Sequence, residues 1–310
     1  MNIQTMSIVV GTKACQAKCP FCVSKMTDFD DLRRQSQPFN EDHIEKAIQM
    51  AQIGNCSTCL LTGKGEPTLY LDHITRALQI VDNRFPFIEL QTNGLVLATM
   101  SPEVKRCLAE WKLLGLTTIA ISTSGYISAG VNDVLRERVA VLNKDHYAEN
   151  YPDLKELSRQ LQVFGFTRRL SVMAQRGGIE TMNDVRDLIN SCQEGRFNQL
   201  TIRPLNAPKE ANNQSEDAAA YVKDAETKLF NKAEFGEGVS SIEYWLQTFG
   251  TQIRRLSGGG RVFDIGGQNV AIYNCLTVDK DEDLRSLIVF PNGTIKYSWE
   301  YPGAILLDGY

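Results

Sequence analysis

Gly11-Thr12-Lys13-Ala14-Cys15-Gln16-Ala17-Lys18-Cys19-Pro20-Phe21-Cys22 spaces three cysteines as C-x3-C-x2-C directly after a short apolar run, Ser7–Val10. The eight residues from Cys15 to Cys22 are enough chain for three thiolates to converge on one inorganic centre. Pro20 disfavours helical backbone at Cys19 and keeps the segment a loop. Thiolates are soft ligands that suit zinc or iron–sulfur clusters. Three of them fill only three corners of a [4Fe–4S] cube and leave one iron for a substrate or cofactor, whereas closed clusters and structural zinc sites recruit four ligands. The spacing by itself also fits a zinc knuckle completed by a distant side chain, with His43 and His73 as candidates, or three thiols without metal.

Outward from this loop, apolar runs rich in β-branched residues recur at Thr58–Thr62, Phe87–Gln91, Thr118–Ser122, Leu170–Ala174 and Gln199–Arg203. Helical patterns separate them at about Glu41–Ile53, Leu71–Val81, Pro102–Leu114, Val131–Leu142, Pro152–Phe164 and Met182–Cys192. Ser101-Pro102 is a helix start, and Gly115 and Gly165 stand where helices stop. Strands alternating with helices predict an α/β fold, a parallel sheet covered by helices on its outer face. Six units are too few for a closed eight-stranded barrel, so a partial barrel or an open doubly wound sheet is expected over residues 1–208.

The polar stretch Lys209–Asp217 breaks the pattern and opens a linker-and-helix region, 209–240, with a helix expected over Ala218–Phe230. Ser257-Gly258-Gly259-Gly260 is a turn, since no Lys-Ser/Thr pair follows it as in a phosphate loop. After a short helix at Ile242–Phe249, hairpins are expected at Val262–Ile265 with Val270–Tyr273 and at Leu287–Phe290 with Ile295–Trp299. Residues 241–310 are therefore read as a C-terminal β-rich extension. Its aromatic residues Tyr297, Trp299, Tyr301 and Tyr310 either close the open side of the barrel or pack against the core.

Taken with its position after the first strand, C-x3-C-x2-C resembles the signature of the radical SAM superfamily, which uses S-adenosylmethionine (SAM) on a partial (βα)6 TIM-like barrel. The resemblance implies that Cys15, Cys19 and Cys22 ligate one [4Fe–4S] cluster whose free iron chelates SAM, with Phe21 near the adenine. Gly65-Glu66-Pro67 resembles the family's Gly-Gly-Glu-Pro motif, in which Glu66 would hold the SAM amino group; Lys64 replaces the first glycine. Thr92-Asn93-Gly94, Ser122 or Ser124, Gln175 and Arg203 end successive strands. By the same resemblance they would line the cofactor, with Arg203 on its carboxylate or on an acidic substrate. The chain looks nearest to the group containing the GTP cyclase of molybdenum-cofactor synthesis. The implied activity is reductive cleavage of SAM to a 5′-deoxyadenosyl radical that takes hydrogen from a small-molecule or nucleotide-like substrate. Peptide- or tRNA-modifying members are the alternative, and an electron donor such as flavodoxin or ferredoxin is implied. A non-catalytic zinc-binding α/β module is the rival of a different class.

The other cysteines read more plainly. Cys56 and Cys59 fall at a strand, Cys107 and Cys192 in helices, and Cys275 stands alone, so a single cluster is expected. Eight cysteines without an export signal point to a reducing, cytoplasmic setting. No apolar run reaches the length of a membrane span. A net charge of −4 gives no basic stripe for a large nucleic acid. The pairs Arg33–Arg34, Arg168–Arg169 and Arg254–Arg255 read as solvated ends of helices or strands.

Overall fold

In the computed structural model, residues 2–27, 39–207, 216–231, 239–256, 259–273 and 284–309 are described. The strands are β1 (Ile3–Val9), β2 (Thr58–Thr62), β3 (Phe87–Thr92), β4 (Thr118–Thr123), β5 (Thr167–Ala174), β6 (Gln199–Pro204), β7 (Thr251–Arg255), β8 (Arg261–Ile265), β9 (Gln268–Ile272), β10 (Leu284–Val289), β11 (Ile295–Lys296) and β12 (Ile305–Leu307). The helices are α1 (Val23–Met26), α2 (Glu41–Ile53), α3 (Leu71–Val81), α4 (Pro102–Leu113), α5 (Asp133–His146), α6 (Leu154–Val163), α7 (Met182–Glu194), α8 (Glu216–Asp224) and α9 (Ser241–Phe249).

One sheet carries all twelve strands, in the order β12-β11-β10-β1-β2-β3-β4-β5-β6-β9-β8-β7. From β10 through β1–β6 to β9 every neighbouring pair is parallel, which makes eight parallel strands. The outer pairs are antiparallel. The fold is thus the α/β partial barrel the periodicity implied, and its C-terminal strands extend the sheet at both edges. Among the described residues β9 and β10 do not pair, so the barrel stays open. Arg285 on β10 spans the seam, donating to the Tyr273 hydroxyl at 2.8 Å with its guanidinium 5.0 Å from the ring centre.

Alternation divides each central strand into two faces. Ile88 and Leu90, Ile119 and Ile121, Leu170, Val172 and Ala174, and Leu200 and Ile202 join the main core with Ile44, Ile48, Leu78, Leu108, Leu161 and Leu188 of the covering helices. The opposite face of β3–β6 lines the barrel and is largely polar, with Glu89, Gln91, Ser122, Arg169, Ser171, Thr201 and Arg203 on it. Helix starts are set by local capping: Ser101 Oγ accepts from Val104 N–H, and Thr181–Asp184 forms a reciprocal capping box for α7.

Three differences from the sequence reading have local causes. β1 begins at Ile3 rather than Ser7 because it pairs with β10 from Ile3 onward. α5 continues to His146, beyond the apolar pattern that ends at Leu142. Asn143 and His146 in its last turn are buried by hydrogen bonds to the end of β4 rather than by apolar packing. The pair Arg168–Arg169 is no solvated end: Arg168 donates to the Phe166 and Arg196 carbonyls, and Arg169 pairs with Glu89 inside the barrel. Cys275, Tyr310, Arg33, Arg34 and the polar stretch 209–215 lie outside the described residues.

Candidate active site

The cysteine loop is clamped between the first two strand ends. Gly11 has φ +73°, and a Cβ there would meet the Tyr70 ring at 2.2 Å. Thr12 Oγ1 and the Tyr70 hydroxyl hydrogen-bond at 2.5 Å, and Ala14 O accepts from Glu66 N–H at 2.9 Å. At Gly65 the requirement is space: a Cβ would lie 2.1 Å from Ala14 O. Lys64, where the family motif has glycine, needs no left-handed backbone, and its buried ammonium bonds Thr27 just beyond the cysteines.

Cys15 is exposed, and Cys19 and Cys22 are half-buried. Burial, then repulsion from Cys22 and Cys15, pushes the Cys19 thiol up to about 12, so the three sulfurs feel one another. Asn93 Nδ2 donates to Cys15 Sγ at 3.8 Å, and Ala17 N–H to the same sulfur at 3.4 Å. Cys19 Sγ donates to the carbonyl of His146 at 3.5 Å.

Glu66 ties the next two loops together. Its Oε1 accepts from Thr68 N–H at 3.0 Å, Thr68 Oγ1 at 2.5 Å and Thr92 Oγ1 at 2.6 Å; Oε2 accepts from Asn93 N–H at 2.9 Å. Burial raises the Glu66 carboxyl above its ordinary range, and these hydrogen bonds pull the other way. Asn93 therefore touches both the carboxylate, through its backbone, and Cys15, through its amide. Pro67 is buried at the start of the one-turn 3₁₀ helix that Glu66 caps.

On the far side of the cysteine loop stands His146. Its carbonyl accepts from Lys18 N–H at 2.7 Å, Nδ1 bonds Ser124 Oγ at 3.0 Å and Nε2 bonds the Tyr221 hydroxyl at 3.3 Å. Tyr221 donates onward to Gln175 Oε1 at 2.8 Å. Phe21 packs edge-on against the imidazole with centres 5.3 Å apart, and lies 6.4 Å from the Tyr221 ring. Burial lowers the His146 pKa below the usual imidazole value. Gln175 is fully buried, and its Nε2 has no hydrogen-bond partner among the described residues.

Inside the barrel, Ser122 of β4, Arg169, Ser171 and Met173 of β5, and Gln199, Thr201 and Arg203 of β6 occupy the face opposite the core residues. Ser171 stands beside Thr201, and Met173 beside Arg203. Arg169 reaches past the small Ala120 to Glu89 on β3, whose Oε1 also accepts from Gln91 Nε2 at 3.1 Å. Burial lowers the Arg169 pKa; Glu89 opposes that, and repulsion from Arg203 adds to it.

The sequence of residues 9–158 matches the family model described as the radical SAM superfamily. That match takes in just under half of the chain, including the cysteine loop and the ends of the first four strands. Structural likeness extends over the whole chain. Streptococcus suis SuiB bound to S-adenosylmethionine aligns with a TM-score of 0.58 at 14% identity, over 100% of this chain and 63% of SuiB. SuiB bound to precursor peptide SuiA gives 0.57 at 13% identity, over 100% and 62%. Native anSMEcpe with bound AdoMet gives 0.54 at 14% identity, over 98% and 76%. At these identities the likeness shows the fold, and the chain spans less than two thirds of the SuiB structures' length. No curated protein matches the sequence.

Within the matched segment, Cys15, Cys19, Cys22, Phe21, Gly65, Glu66, Pro67, Thr92 and Asn93 come together at the ends of β1–β3. Ser122 faces the barrel interior, while Ser124 is fully buried against His146, beneath the cysteine loop. Of the two histidines proposed as a fourth ligand, His43 Nδ1 bonds Gly293 O at 2.8 Å, and His73 packs on Phe39 and Tyr70. The histidine beside the cysteines is His146, at the end of a polar helical turn that no local pattern marks. Three thiols on one loop, mutually repelling and partly exposed, fit a cationic iron–sulfur centre, because a coordinating thiol is held deprotonated. Among the described residues no three His, Cys, Asp or Glu side chains converge on one metal ion; a cube instead takes one thiolate on each of three irons. No helix among the described residues is long and apolar enough to cross a membrane.

Proposed function

We propose that Cys15, Cys19 and Cys22 hold one [4Fe–4S] cluster, and that the enzyme cleaves SAM reductively to take hydrogen from a small-molecule or nucleotide-like substrate. The observation that carries this reading is Asn93, which joins the Cys15 sulfur to the Glu66 carboxylate. Through it, the loop that would hold the cluster and the group that would hold the SAM ammonium form one unit. When bound, the cluster on Cys15, Cys19 and Cys22 would supply one-electron reducing power, replenished by a donor such as flavodoxin or ferredoxin, and SAM would supply the hydrogen-abstracting chemistry.

The chain's own residues bind and orient. Glu66 Oε2 accepts a single N–H from the protein and keeps acceptor capacity for an ammonium, a charge-assisted contact. Phe21, Gly65, Pro67 and Thr92 shape the adenosyl side. Ser122 and the free amide of Gln175 face the ribose or carboxylate, and Ser124 positions His146. We assign the catalytic core to residues 1–208; among the described residues after it, α8 follows and the strands from β7 onward continue and flank the sheet. The cysteines among the described residues are unpaired, which supports a reducing, cytoplasmic setting. Polar side chains inside the barrel support a compact polar substrate over a peptide or tRNA. The test is 5′-deoxyadenosine release by the reduced, cluster-loaded protein against nucleotides, small acids, peptides and folded tRNA. Stimulation by a small polar compound is expected, and stimulation by peptide or tRNA alone would overturn the substrate class.

A further inference from the structure

The inner face of β5 and β6 carries more positive charge than the described residues neutralise. Glu89 pairs with Arg169, while Arg203 makes no ion pair or hydrogen bond among the described residues. Arg203 is nonetheless half-buried, with its Nε wholly so, and Arg169 Nε on the neighbouring strand also has no partner among the described residues. Between the two arginines on β5 lies Ser171. It is 3% exposed, its Oγ is without a hydrogen-bond partner, and its strand neighbour is Thr201. Two guanidiniums and a hydroxyl thus share one face of the barrel, and the carboxylate that pairs there among the described residues, Glu89, is already engaged by Gln91 and Arg169. A fold gains no stability from two arginines that share a face and repel one another. Such local cost is retained where a ligand completes the site.

We propose that this face binds an anionic group of the substrate, a carboxylate or a phosphate, between Arg203 and Arg169 with Ser171 donating to it. The arginine fork matches either group bidentately. The inference rests on the proposed function only in calling the anion part of the substrate. An anchor at this depth leaves the rest of the substrate directed to the mouth of the barrel, where Cys15, Glu66 and Asn93 stand.

The experiment titrates the cluster-reconstituted, SAM-loaded protein with inorganic phosphate and, separately, with acetate, by calorimetry. The arm that responds identifies the chemistry as phosphate or carboxylate. Arg203→Gln is expected to weaken binding by about tenfold or more, Arg203→Lys less, and Ser171→Ala least. Since Arg203→Gln relieves repulsion, it is expected to melt no lower than the wild type. A lower melting temperature would make Arg203 structural and overturn the proposal, as would equal anion binding by wild type and Arg203→Gln. Because SAM is already bound, an arginine engaged by the cofactor's own carboxylate would give no response, which also overturns it. If the reduced protein releases 5′-deoxyadenosine but ignores both anions, this inference falls and the proposed function stands. Anion binding without any SAM cleavage does the reverse.

Discussion

The groups that hold the cysteine loop, Glu66 and His146, and the inner face of β5 and β6 handle polar groups differently. At the mouth, Glu66 accepts four hydrogen bonds and His146 bonds through both ring nitrogens and its carbonyl. Inside, Arg203 Nε, Arg169 Nε and Ser171 Oγ have no partner among the described residues. A satisfied network fixes geometry, which suits the loops that must present three sulfurs. An unsatisfied one costs about 1–3 kcal/mol per buried group and persists where something else supplies the missing contact. The contrast separates scaffold from binding surface within a few strands.

The sharpest way to break the comparison is at the sulfurs. Cys19→Ser should abolish iron binding and 5′-deoxyadenosine release together while leaving the circular dichroism spectrum unchanged, since the thiol contributes one weak bond, to His146. Loss of fold instead would make the loop structural. Next in size, Glu89→Leu should cost about 3–5 kcal/mol in urea unfolding by stranding Arg169, and Glu89→Leu with Arg169→Met should recover most of it. If the single change is neutral, the interior is wetter than its geometry implies. Gly65→Ala should cost about 1–3 kcal/mol and lower iron content, because its Cβ would strike Ala14 O and push the cysteine loop away.

These outcomes bear on what could be seen before any coordinates. The helices Glu41–Ile53 and Leu71–Val81 match the expected bounds, because amphipathic periodicity states both length and buried face. The hairpin of β8 and β9 was legible, but not its parallel docking on β6, since alternation reveals a strand and not its partner. The cysteines, Glu66 and Asn93 were legible because their spacing is local. The Glu89–Arg169 pair was not, because eighty residues separate its members and each looks like an ordinary charge near a strand. His146 was missed for a related reason: its turn is polar, and its burial comes from hydrogen bonds to β4.

The smallest expected effect concerns His146. Its folded pKa lies below the unfolded value because burial disfavours the cation. The unfolded state therefore binds more protons as pH falls through the ordinary imidazole range, about 6.5. Stability should be full above that range and decline below it. His146→Asn should flatten the decline between pH 7.5 and 5.5 in urea titrations of the apoprotein. An unchanged slope would place the acid sensitivity elsewhere.

Electron paramagnetic resonance of the anaerobically purified, reduced protein, recorded before and after adding SAM, addresses the open iron itself. A brown protein with about four irons per chain, whose reduced signal changes when SAM is added, is the predicted result. A colourless zinc protein, or a cluster signal indifferent to SAM, would contradict it.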